Sequence, residues 1–511
     1  MALPAAELCK DLFGMARDEL ESIIAFLRSG EAGKMSHSDV ERLVRERGHD
    51  LMRKLFQAHV DSRGPGEAAA TVRGADGVER DQERSHERGL TTIFGEIRIK
   101  RFGYGAEGVD SLHPLDAELN LPRELYSFEL RRSAAVEVSK GAFDEAVASL
   151  ACHTGAEVQK RQVEELARRA AEDFDAFYGQ RAPPAGDRSA SVLAITADGK
   201  GVVMLRKDLR EATKKAAEKG SRRLGKRLTK GEKRNRKRMA TVAAVYTVEP
   251  FMRQPEDVIR VLAPSDEREK EKRPRPQDKR VWASLAKEPE EVLAEAFAEA
   301  ERRDPSHSKS WVGLVDGNAT QLKILHKLAS RHRVELTIVL DFIHVCEYVW
   351  KASLGFYEET EPARQVWVQE RLLRILRGEA TLVAAGMRRS ATRRKLKPDK
   401  RENVDQCADY LLNHVPYLHY HEYLAAGLPI ATGVIEGACR HLVSDRMDLT
   451  GARWSLAGAE AVLRLRALRS SGDFDEYWHF HEQREYERNH ASRYSNGKVV
   501  PVRGRHLKRV K

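Results

Sequence analysis

The chain has 511 residues, more than one hydrophobic core usually supports, so we expect several domains. Lys and Arg total 89 against 78 Asp and Glu, which gives a net charge of +11, a pI near 9.3 and a mean hydropathy of -0.57. This balance favours a polyanionic partner, and because no apolar run approaches the roughly 18 residues of a membrane span, it argues against a membrane protein.

Residues 1–85 are predicted to form an N-terminal helical region of unassigned role. Apolar residues repeat at helical spacing between Leu12 and Leu27 and again between Leu43 and Leu55.

Residues 86–120 are predicted to contain a small β-hairpin. The period changes to two between Leu90 and Tyr104, and Phe94-Gly95-Glu96 is expected to form the turn. Basic residues interrupt the apolar ones, so we expect one cationic face with Arg98, Lys100 and Arg101.

Residues 121–180 are predicted to be helical and to resemble a helix-turn-helix. Apolar residues at helical spacing in 143–150 and 158–166 flank a turn at Thr154-Gly155. In a helix-turn-helix, the start of the second helix enters the major groove of DNA. The alternative is an ordinary pair of packed helices with a solvated basic face. The candidate DNA-contacting residues are Gln159, Lys160 and Arg161.

A mixed α/β domain is predicted over residues 189–470, because short apolar runs alternate with a helical pattern at 289–302. The expected strands are 191–196 continuing into 202–205, then 240–248, 258–262, 311–315 and 336–340.

Two insertions interrupt this domain. Residues 206–238 contain sixteen Lys or Arg against four Asp or Glu, so they form either a solvated arm or, as we favour, a segment that tracks DNA phosphates through Arg222, Arg223, Lys226 and Arg227. Residues 346–428 are predicted to be largely helical, and residues 471–511 are expected to form a basic, flexible tail.

The N-terminus and the cysteines indicate a reducing compartment. Glu7, Lys10 and Asp11 stand where a signal peptide would be apolar, so we expect a cytoplasmic protein. The cysteines are odd in number and widely dispersed, which favours buried reduced thiols over zinc ligands. They are Cys9, Cys152, Cys346, Cys407 and Cys439.

Three acidic residues, Asp198, Asp316 and Glu436, each precede a glycine and follow a short apolar run that we predict to be a strand. Such runs would bring the carboxylates to one edge of a sheet. Carboxylate oxygens are the ligands that Mg²⁺ prefers, so the pattern predicts a metal site for phosphodiester chemistry.

Each acid also has a simpler explanation. Asp-Gly after a strand is a common turn, and Glu436 alone is typical of an acid in the first turn of a helix. Asp341 is a rival for the second position because it follows the apolar run 338–340, and His344 three residues later suggests a local pair with it.

Four segments together resemble bacterial insertion-sequence DDE transposases of the Kra type, which are related to Mutator-like transposases. The resemblance covers roughly residues 85–490. The segments are Ala197-Asp198-Gly199-Lys200-Gly201, Leu314-Val315-Asp316-Gly317-Asn318, Leu340-Asp341-Phe342-Ile343-His344-Val345 and Thr432-Gly433-Val434-Ile435-Glu436-Gly437-Ala438-Cys439-Arg440. The stretch from Asp445 to Ser470 continues it.

The resemblance implies an RNase H-like catalytic core in which Asp198, Asp316 and Glu436 are the catalytic and metal-binding triad for Mg²⁺ or Mn²⁺. It implies cleavage at the ends of an insertion sequence followed by strand transfer into target DNA. The implied partners are double-stranded DNA and a second copy of the chain, as a homodimer or larger synaptic complex, in a bacterial, nucleoid-associated setting without a membrane.

The resemblance also places the Asp-x-x-His element formed by Asp341 and His344 after the second catalytic aspartate, as an accessory. Further accessory candidates are Lys200 and Arg440 at the scissile region and Trp454, which either stacks on a base or belongs to the core. The alternatives are a metal-dependent nuclease on the same fold and a DNA-binding protein that has lost catalysis.

Overall fold

The computed structural model describes residues 11–182, 191–218, 236–262, 273–449 and 451–503. Two compact units are present. The first unit comprises Met1–Gly179 and Phe474–Lys511, and the second comprises Gln180–Asp473.

The α-helices and strands of the described residues are as follows, in chain order. The helices are α1 Gly14–Leu27, α2 His37–Ser62, α3 Pro114–Glu118, α4 Phe128–Lys140, α5 Phe143–His153, α6 Lys160–Ala170, α7 Phe174–Gln180, α8 Glu211–Glu218, α9 Pro255–Leu262, α10 Pro289–Arg303, α11 Ala319–His332, α12 Phe342–Ser353, α13 Pro362–Leu376, α14 Ala380–Arg393, α15 Pro398–Asn413, α16 Tyr420–Ala425, α17 Gly433–Ala438, α18 Asp445–Met447, α19 Leu456–Ser471 and α20 Phe474–Asn489. The strands are β1 Val72–Arg73, β2 Glu79–Arg80, β3 Gln82–Thr92, β4 Gly95–Ala106, β5 Val109–Leu112, β6 Val192–Val203, β7 Lys237–Val248, β8 Gln277–Ser284, β9 Ser310–Val315 and β10 Leu336–Leu340.

The first unit contains the two predicted helices, α1 and α2, but residues 72–85, predicted as part of the same helical region, hold β1, β2 and the start of β3. β3 belongs to a small antiparallel sheet in the order β3-β4-β5. The predicted hairpin is present between β3 and β4, with its turn at Ile93-Phe94, one residue earlier than predicted. Ile97 and Ile99 are buried on one face of β4.

The predicted cationic face of this hairpin is correct for two of its three residues. Arg98 and Lys100 are exposed, whereas Arg101 lies two positions beyond Ile99 and therefore on the buried side of β4. There it pairs with Asp116.

The second unit is a mixed α/β fold, as predicted. Its five-stranded sheet has the order β10-β9-β6-β7-β8. β6, β7 and β8 form an antiparallel meander, whereas β9 and β10 run parallel to β6. Val192 to Ala197 are all buried, as expected for a central strand that is covered on both faces.

The segment 346–428 is largely helical, as predicted, and shares one hydrophobic core with the sheet. Val312 and Leu314 of β9 and Val339 of β10 belong to the same buried cluster as Val368 and Leu372 of α13. The helical insertion is thus packed against the β9–β10 side of the sheet.

In the sheet, one predicted strand is wrong and one observed strand was not predicted. Residues 258–262 lie in helix α9, which Pro255 can start because proline suits the first helical turn and Glu256 and Asp257 favour that end electrostatically. β8 was missed because the first part of the strand, from Gln277 to Lys279, is polar and exposed. The third strand of the meander is therefore 277–284.

Residues 474–489, predicted as part of a basic tail, form helix α20 of the first unit. Residues 504–511 of that tail lie outside the described residues.

Cys346, Cys407 and Cys439 are buried free thiols, as predicted, whereas Cys152 is exposed. Cys9 lies outside the described residues. Exposure of Cys152 corrects the expectation that all of the cysteines are buried.

No helix in the described ranges combines the length and apolar character needed to cross a membrane.

A buried ion network beside β8 makes the second unit sensitive to acid. Burial acts to raise the pKa of Glu299, but the charges of Arg280 and Arg303 and hydrogen bonds from Arg302 and Arg303 outweigh it and lower the pKa from 4.5 to about 2. A lowered folded-state pKa contributes stability above the unfolded-state pKa of 4.5, and this contribution is lost as the pH falls toward 2. The full contribution is about 3 kcal/mol, since one pKa unit corresponds to about 1.4 kcal/mol.

We therefore expect the difference in melting temperature between the wild type and Glu299→Gln to shrink as the pH is lowered from 5 to 3. Thermal unfolding at pH 5, 4 and 3 measures it. A difference that stays constant over this range would show that Glu299 is not ionised in the way described.

Candidate active site

Asp198 and Asp316 lie side by side on neighbouring parallel strands. β6 pairs with β9 in a register that places Thr196 opposite Leu314. Asp198 and Asp316 each follow a residue of this pair by two positions, so they are level with each other. Side chains alternate between the faces of a sheet, so two positions beyond a pair both residues point to the same face. Neighbouring strands are about 4.8 Å apart, so Asp198 on β6 and Asp316, the residue directly after β9, are at the same level of adjacent chain segments. β6 continues to Val203, so Asp198 is inside its strand and not at the end as predicted.

Asp341 continues this row on the next strand. Leu340 pairs with Val315, and the Asp341 N–H donates to the Val315 carbonyl at 2.8 Å. Its carboxylate is only 2% exposed and is already occupied by protein donors. Oδ1 accepts from the Ile343 N–H at 2.9 Å, and Oδ2 accepts from the Thr432 hydroxyl and from His344 Nδ1 at 3.3 Å.

Asp316 has more of its carboxylate available. Oδ1 accepts from the Asn318 N–H at 2.9 Å, and the residue is partly exposed. This contrast favours Asp316 over Asp341 as a ligand for an external group. Asp341 instead caps helix α12 and ties it to the segment that carries Glu436.

Glu436 lies on a short helix, and the predicted strand at 432–437 is wrong. Helix α17 begins after Thr432, whose carbonyl accepts from the Glu436 N–H at 3.1 Å, and Glu436 is exposed in its first turn. The helix is seated by long-range contacts: Thr432 bonds to Asp341, and the Ile430 carbonyl accepts from the Phe342 N–H at 2.9 Å.

Cys439 brings the helix with Glu436 next to Asp198. Its thiol donates to Asp198 Oδ2 at 3.2 Å, and residues three apart on a helix lie on the same side. Burial, followed by the charge of Asp198 and its hydrogen bond, raises the pKa of Cys439 well above its usual value, and the charge of Glu436 adds to this effect. The thiol therefore stays protonated and remains a donor. A π-helical turn, Cys439–Ser444, follows at this point.

The charges of Asp316 and Asp341 act on a tyrosine from the helical insertion. Burial and the charges of Asp316, Tyr348 and Asp341 raise the pKa of Tyr410, whose hydroxyl donates to the Asp316 carbonyl at 2.9 Å. Across the described ranges, none of Asp198, Asp316 and Glu436 forms an ion pair with Lys, Arg or His. In the described ranges, only Asp341 of this group of acids has a titratable cationic partner, His344.

In the described part of the chain, no group of three or more His, Cys, Asp or Glu is placed where it could hold a metal ion. The chemistry of the donors still fits a hard cation, because Asp198 and Asp316 are adjacent carboxylates that lack cationic partners. Glu436 is exposed near Asp198 and completes the set only if its side chain turns toward the sheet.

The accessory candidates have different surroundings. Lys200 follows Asp198 by two positions on β6, on the same face, and its charge acts against the rise in the pKa of Cys439. Arg440 is exposed, with Nε 3.9 Å from Asp445 Oδ1.

Trp454 belongs to the core and does not offer a face for base stacking. It is 5% exposed, its Nε1 donates to the Met447 carbonyl at 3.1 Å, and the Arg446 guanidinium covers its ring at 4.6 Å. Its backbone bridges to Met204, directly after β6. Trp454 is therefore explained as a core residue and not as a side chain that stacks on a base.

Sequence reasoning assigned no role in this site to Tyr410, His414, Thr432 or Cys439. His414 lies with Nε2 2.9 Å from the Gly317 carbonyl, although 97 residues separate the two in sequence. Thr432 and Cys439 lie within four residues of Glu436 in the segment 432–440, so their nearness to Glu436 in sequence could have indicated a role for them. No local pattern pointed to Tyr410 or His414.

A cavity of about 770 Å³ lies behind helix α17 in the same unit. Gly433, Val434 and Gly437 line one side, and Tyr246 and Phe251 contribute apolar surface. Its basic lining residues are Arg253, Arg273, Arg275 and Lys279. Glu249 is the acidic residue of this lining, so the four basic residues give the cavity an excess of positive charge.

In the first unit, α5 and α6 form the predicted pair of helices. Gln159, Lys160 and Arg161 are exposed at the start of α6, and Lys160 Nζ lies 2.7 Å from Asp144 Oδ2. The other predicted DNA contacts, at Arg222, Arg223, Lys226 and Arg227, fall outside the described residues.

Replacing Asp341 by alanine is expected to destabilise the second unit by about 1 to 3 kcal/mol. The change removes the cap of α12 and leaves the Thr432 hydroxyl without its buried acceptor. Differential scanning calorimetry of Asp341→Ala and of Asp399→Ala, an exposed aspartate in the first turn of α15, gives the comparison. Equal melting temperatures of the two variants would show that the hydrogen bonds of Asp341 do not stabilise the second unit.

No family model matches this chain. The chain is 32% identical over 119 residues to a protein of Streptococcus gallolyticus named "UPF0236 protein in vanSb 3'region". The match covers 23% of this chain and 26% of that protein, so the chain spans about a quarter of the length of the relative it matches.

Proposed function

We propose that this chain is a DNA transposase that cleaves the ends of an insertion sequence and joins them to target DNA, with Asp198, Asp316 and Glu436 as its DDE triad. The observation that carries the proposal is the level placement of Asp198 and Asp316 on adjacent parallel strands, with the Glu436 helix held against Asp198 through Cys439.

The sheet supports an RNase H-like core. Three antiparallel strands followed by two strands parallel to the first, in the order β8-β7-β6-β9-β10, is the arrangement expected of that fold. In this arrangement the first acid lies on the first strand and the second acid follows the fourth, as Asp198 and Asp316 do. The helices α12 to α16 lie in the chain between β10 and Glu436, where the resemblance implies a helical insertion.

Asp198, Asp316 and Glu436 would hold Mg²⁺ or Mn²⁺ in this enzyme. Divalent cations in such sites supply Lewis-acid stabilisation of the charge that develops on a phosphodiester. The chain itself orients the ligands: Cys439 fixes one oxygen of Asp198, the Asn318 N–H fixes one oxygen of Asp316, and Asp341 seats the Glu436 segment through Thr432.

Double-stranded DNA is the partner that this site best accommodates. The cavity that Gly433, Val434 and Gly437 of α17 help to line also has Arg253, Arg273, Arg275 and Lys279 in its walls, and such residues could hold DNA phosphates beside the helix that carries Glu436. Gln159, Lys160 and Arg161 are proposed to contact the element end through α6. A homodimer is proposed because two ends must be held together.

Incubation with labelled duplexes from the DNA that flanks this coding sequence tests the function. With Mg²⁺ or Mn²⁺ and a plasmid target, we expect cleavage that exposes a 3′ hydroxyl, followed by labelled plasmid. Cleavage without joining would favour the alternative of a metal-dependent nuclease on the same fold. Specific binding without cleavage would favour a DNA-binding protein that has lost catalysis.

A further inference from the structure

The first unit contains a polar cavity of about 370 Å³ that the proposed function does not use. Its walls come from β3, β4 and β5, from the loop after α3 and from the end of α20. The charged side chains that line it, apart from Arg488, are Arg88, Arg101, Arg123, Arg493, Asp110 and Asp116.

The cavity has an excess of positive charge. Arg488 also lines it but is held by Asp173 outside, at 2.7 and 2.9 Å. The remaining four arginines against two aspartates leave two positive charges. Burial and the nearby arginines lower the pKa of His113 to about 3, so His113 is neutral and adds no charge.

At the inner end, two arginines share one carboxylate. Asp116 pairs with Arg101 and lies 3.8 Å from Arg88, and both guanidinium groups are largely buried. Burial, followed by the charges of Arg88 and Arg493, lowers the pKa of Arg101. Arg101 Nε and His113 Nε2 are buried without a hydrogen-bond partner in the described part of the chain.

At the mouth, Arg123 and Arg493 are exposed. Arg493 donates to the Ser111 carbonyl at 3.1 Å, and neither arginine forms an ion pair with a carboxylate in the described ranges. The cavity is thus lined by two largely buried and two exposed guanidinium groups, of which that of Arg88 also donates to the Pro122 carbonyl at 3.0 Å and to the Glu124 carbonyl at 2.5 Å.

We propose that this cavity is a binding site for a phosphate group, with Arg88 and Arg101 at its inner end and Arg123 and Arg493 at its mouth. The planar guanidinium group matches phosphate oxygens with paired donors, and an anion would relieve the repulsion among the arginines. The volume equals roughly a dozen water molecules at about 30 Å³ each, which leaves room for a sugar or a second ester beside the phosphate. The phosphate comes either from a DNA backbone or from solution.

Titration of the full chain with inorganic phosphate, at an ionic strength held constant with chloride, tests this site by calorimetry. We expect one saturable site per chain. Arg123→Gln and Arg493→Gln are each expected to weaken binding by about tenfold or more, because hydrogen bonds between charged groups contribute factors of this size. Arg84→Gln, an exposed arginine of β3 outside the cavity, is the matched control and should bind as the wild type does.

Absence of saturable binding by the wild type, or binding by both mouth variants as tight as that of Arg84→Gln, would overturn the proposal. A short duplex added to the phosphate-loaded chain identifies the source. Displacement of phosphate, with a salt slope for DNA binding that falls by about one in Arg493→Gln, assigns the site to a DNA backbone phosphate. Phosphate retained under saturating duplex assigns it to free phosphate. Neither result depends on DNA cleavage, so the phosphate site can be disproved while the proposed transposase function stands, and the reverse.

Discussion

Asp198→Asn is expected to abolish DNA cleavage and strand joining while the protein stays folded and binds DNA. Asparagine keeps the size of the side chain and an oxygen that can accept from the Cys439 thiol, but it removes the negative charge that a divalent cation requires. Loss of a ligand for a catalytic metal removes several kcal/mol of transition-state stabilisation, so we expect the rate to fall by about a thousandfold or more.

Single-turnover cleavage of the flanking duplex measures this loss, and filter binding of the same duplex in Ca²⁺ measures DNA affinity. Asp399→Asn is a matched control because Asp399 is exposed in the first turn of α15, about three helical turns before Tyr410, whose hydroxyl contacts Asp316. Cleavage by Asp198→Asn at a rate within tenfold of the control would remove Asp198 from the active site.

Arg131→Met is expected to destabilise the first unit by about 3 to 5 kcal/mol. Arg131 is fully buried on α4 and donates to Glu485 Oε2 at 3.1 Å. Removal of Arg131 takes one of two cationic partners from the buried Glu485, and a buried charge that loses a partner costs far more than the pair itself contributes. Glu485 is 4% exposed and would keep Arg488 as its remaining cationic partner.

The neighbouring residue supplies the control. Arg132 pairs with Asp475 on the surface, where both side chains are exposed, so Arg132→Met should cost less than about 1 kcal/mol. Calorimetry should show the melting temperature of the first unit falling by on the order of 10 °C in Arg131→Met. Addition of Glu485→Gln should recover part of this loss. Equal effects of the two arginine variants would contradict the role of the buried pair.

The sequence contained enough to predict most of the second unit and two of its acids. β9 and β10 are apolar runs that stop directly before Asp316 and Asp341, so both the strands and the edge that they share could be read from local pattern. The choice between Asp316 and Asp341 as a ligand could not be made from local pattern. It depends on the hydrogen bond that the Thr432 hydroxyl donates to the Asp341 carboxylate, and these two residues are 91 positions apart in the chain.

The placement of Glu436 shows what local pattern misses. Val434 and Ile435 are β-branched and predicted a strand, but the segment is helical because its ends are fixed by distant contacts, at Thr432 to Asp341 and at Cys439 to Asp198. Arg101 gives a second case. Alternation along β4 puts it on the buried face, where a carboxylate from α3 meets it, and no nearby residue indicated that partner.

Covalent joining of the flanking duplex to a plasmid, catalysed by purified chain with Mg²⁺, tests the central claim most directly. We expect labelled plasmid with the wild type and with Asp399→Asn, and none with Asp198→Asn, Asp316→Asn or Glu436→Gln at equal DNA occupancy. We expect reduced but measurable joining with Asp341→Asn. Joining that survives Asp316→Asn but disappears with Asp341→Asn would move the second ligand to Asp341 and contradict the triad proposed here.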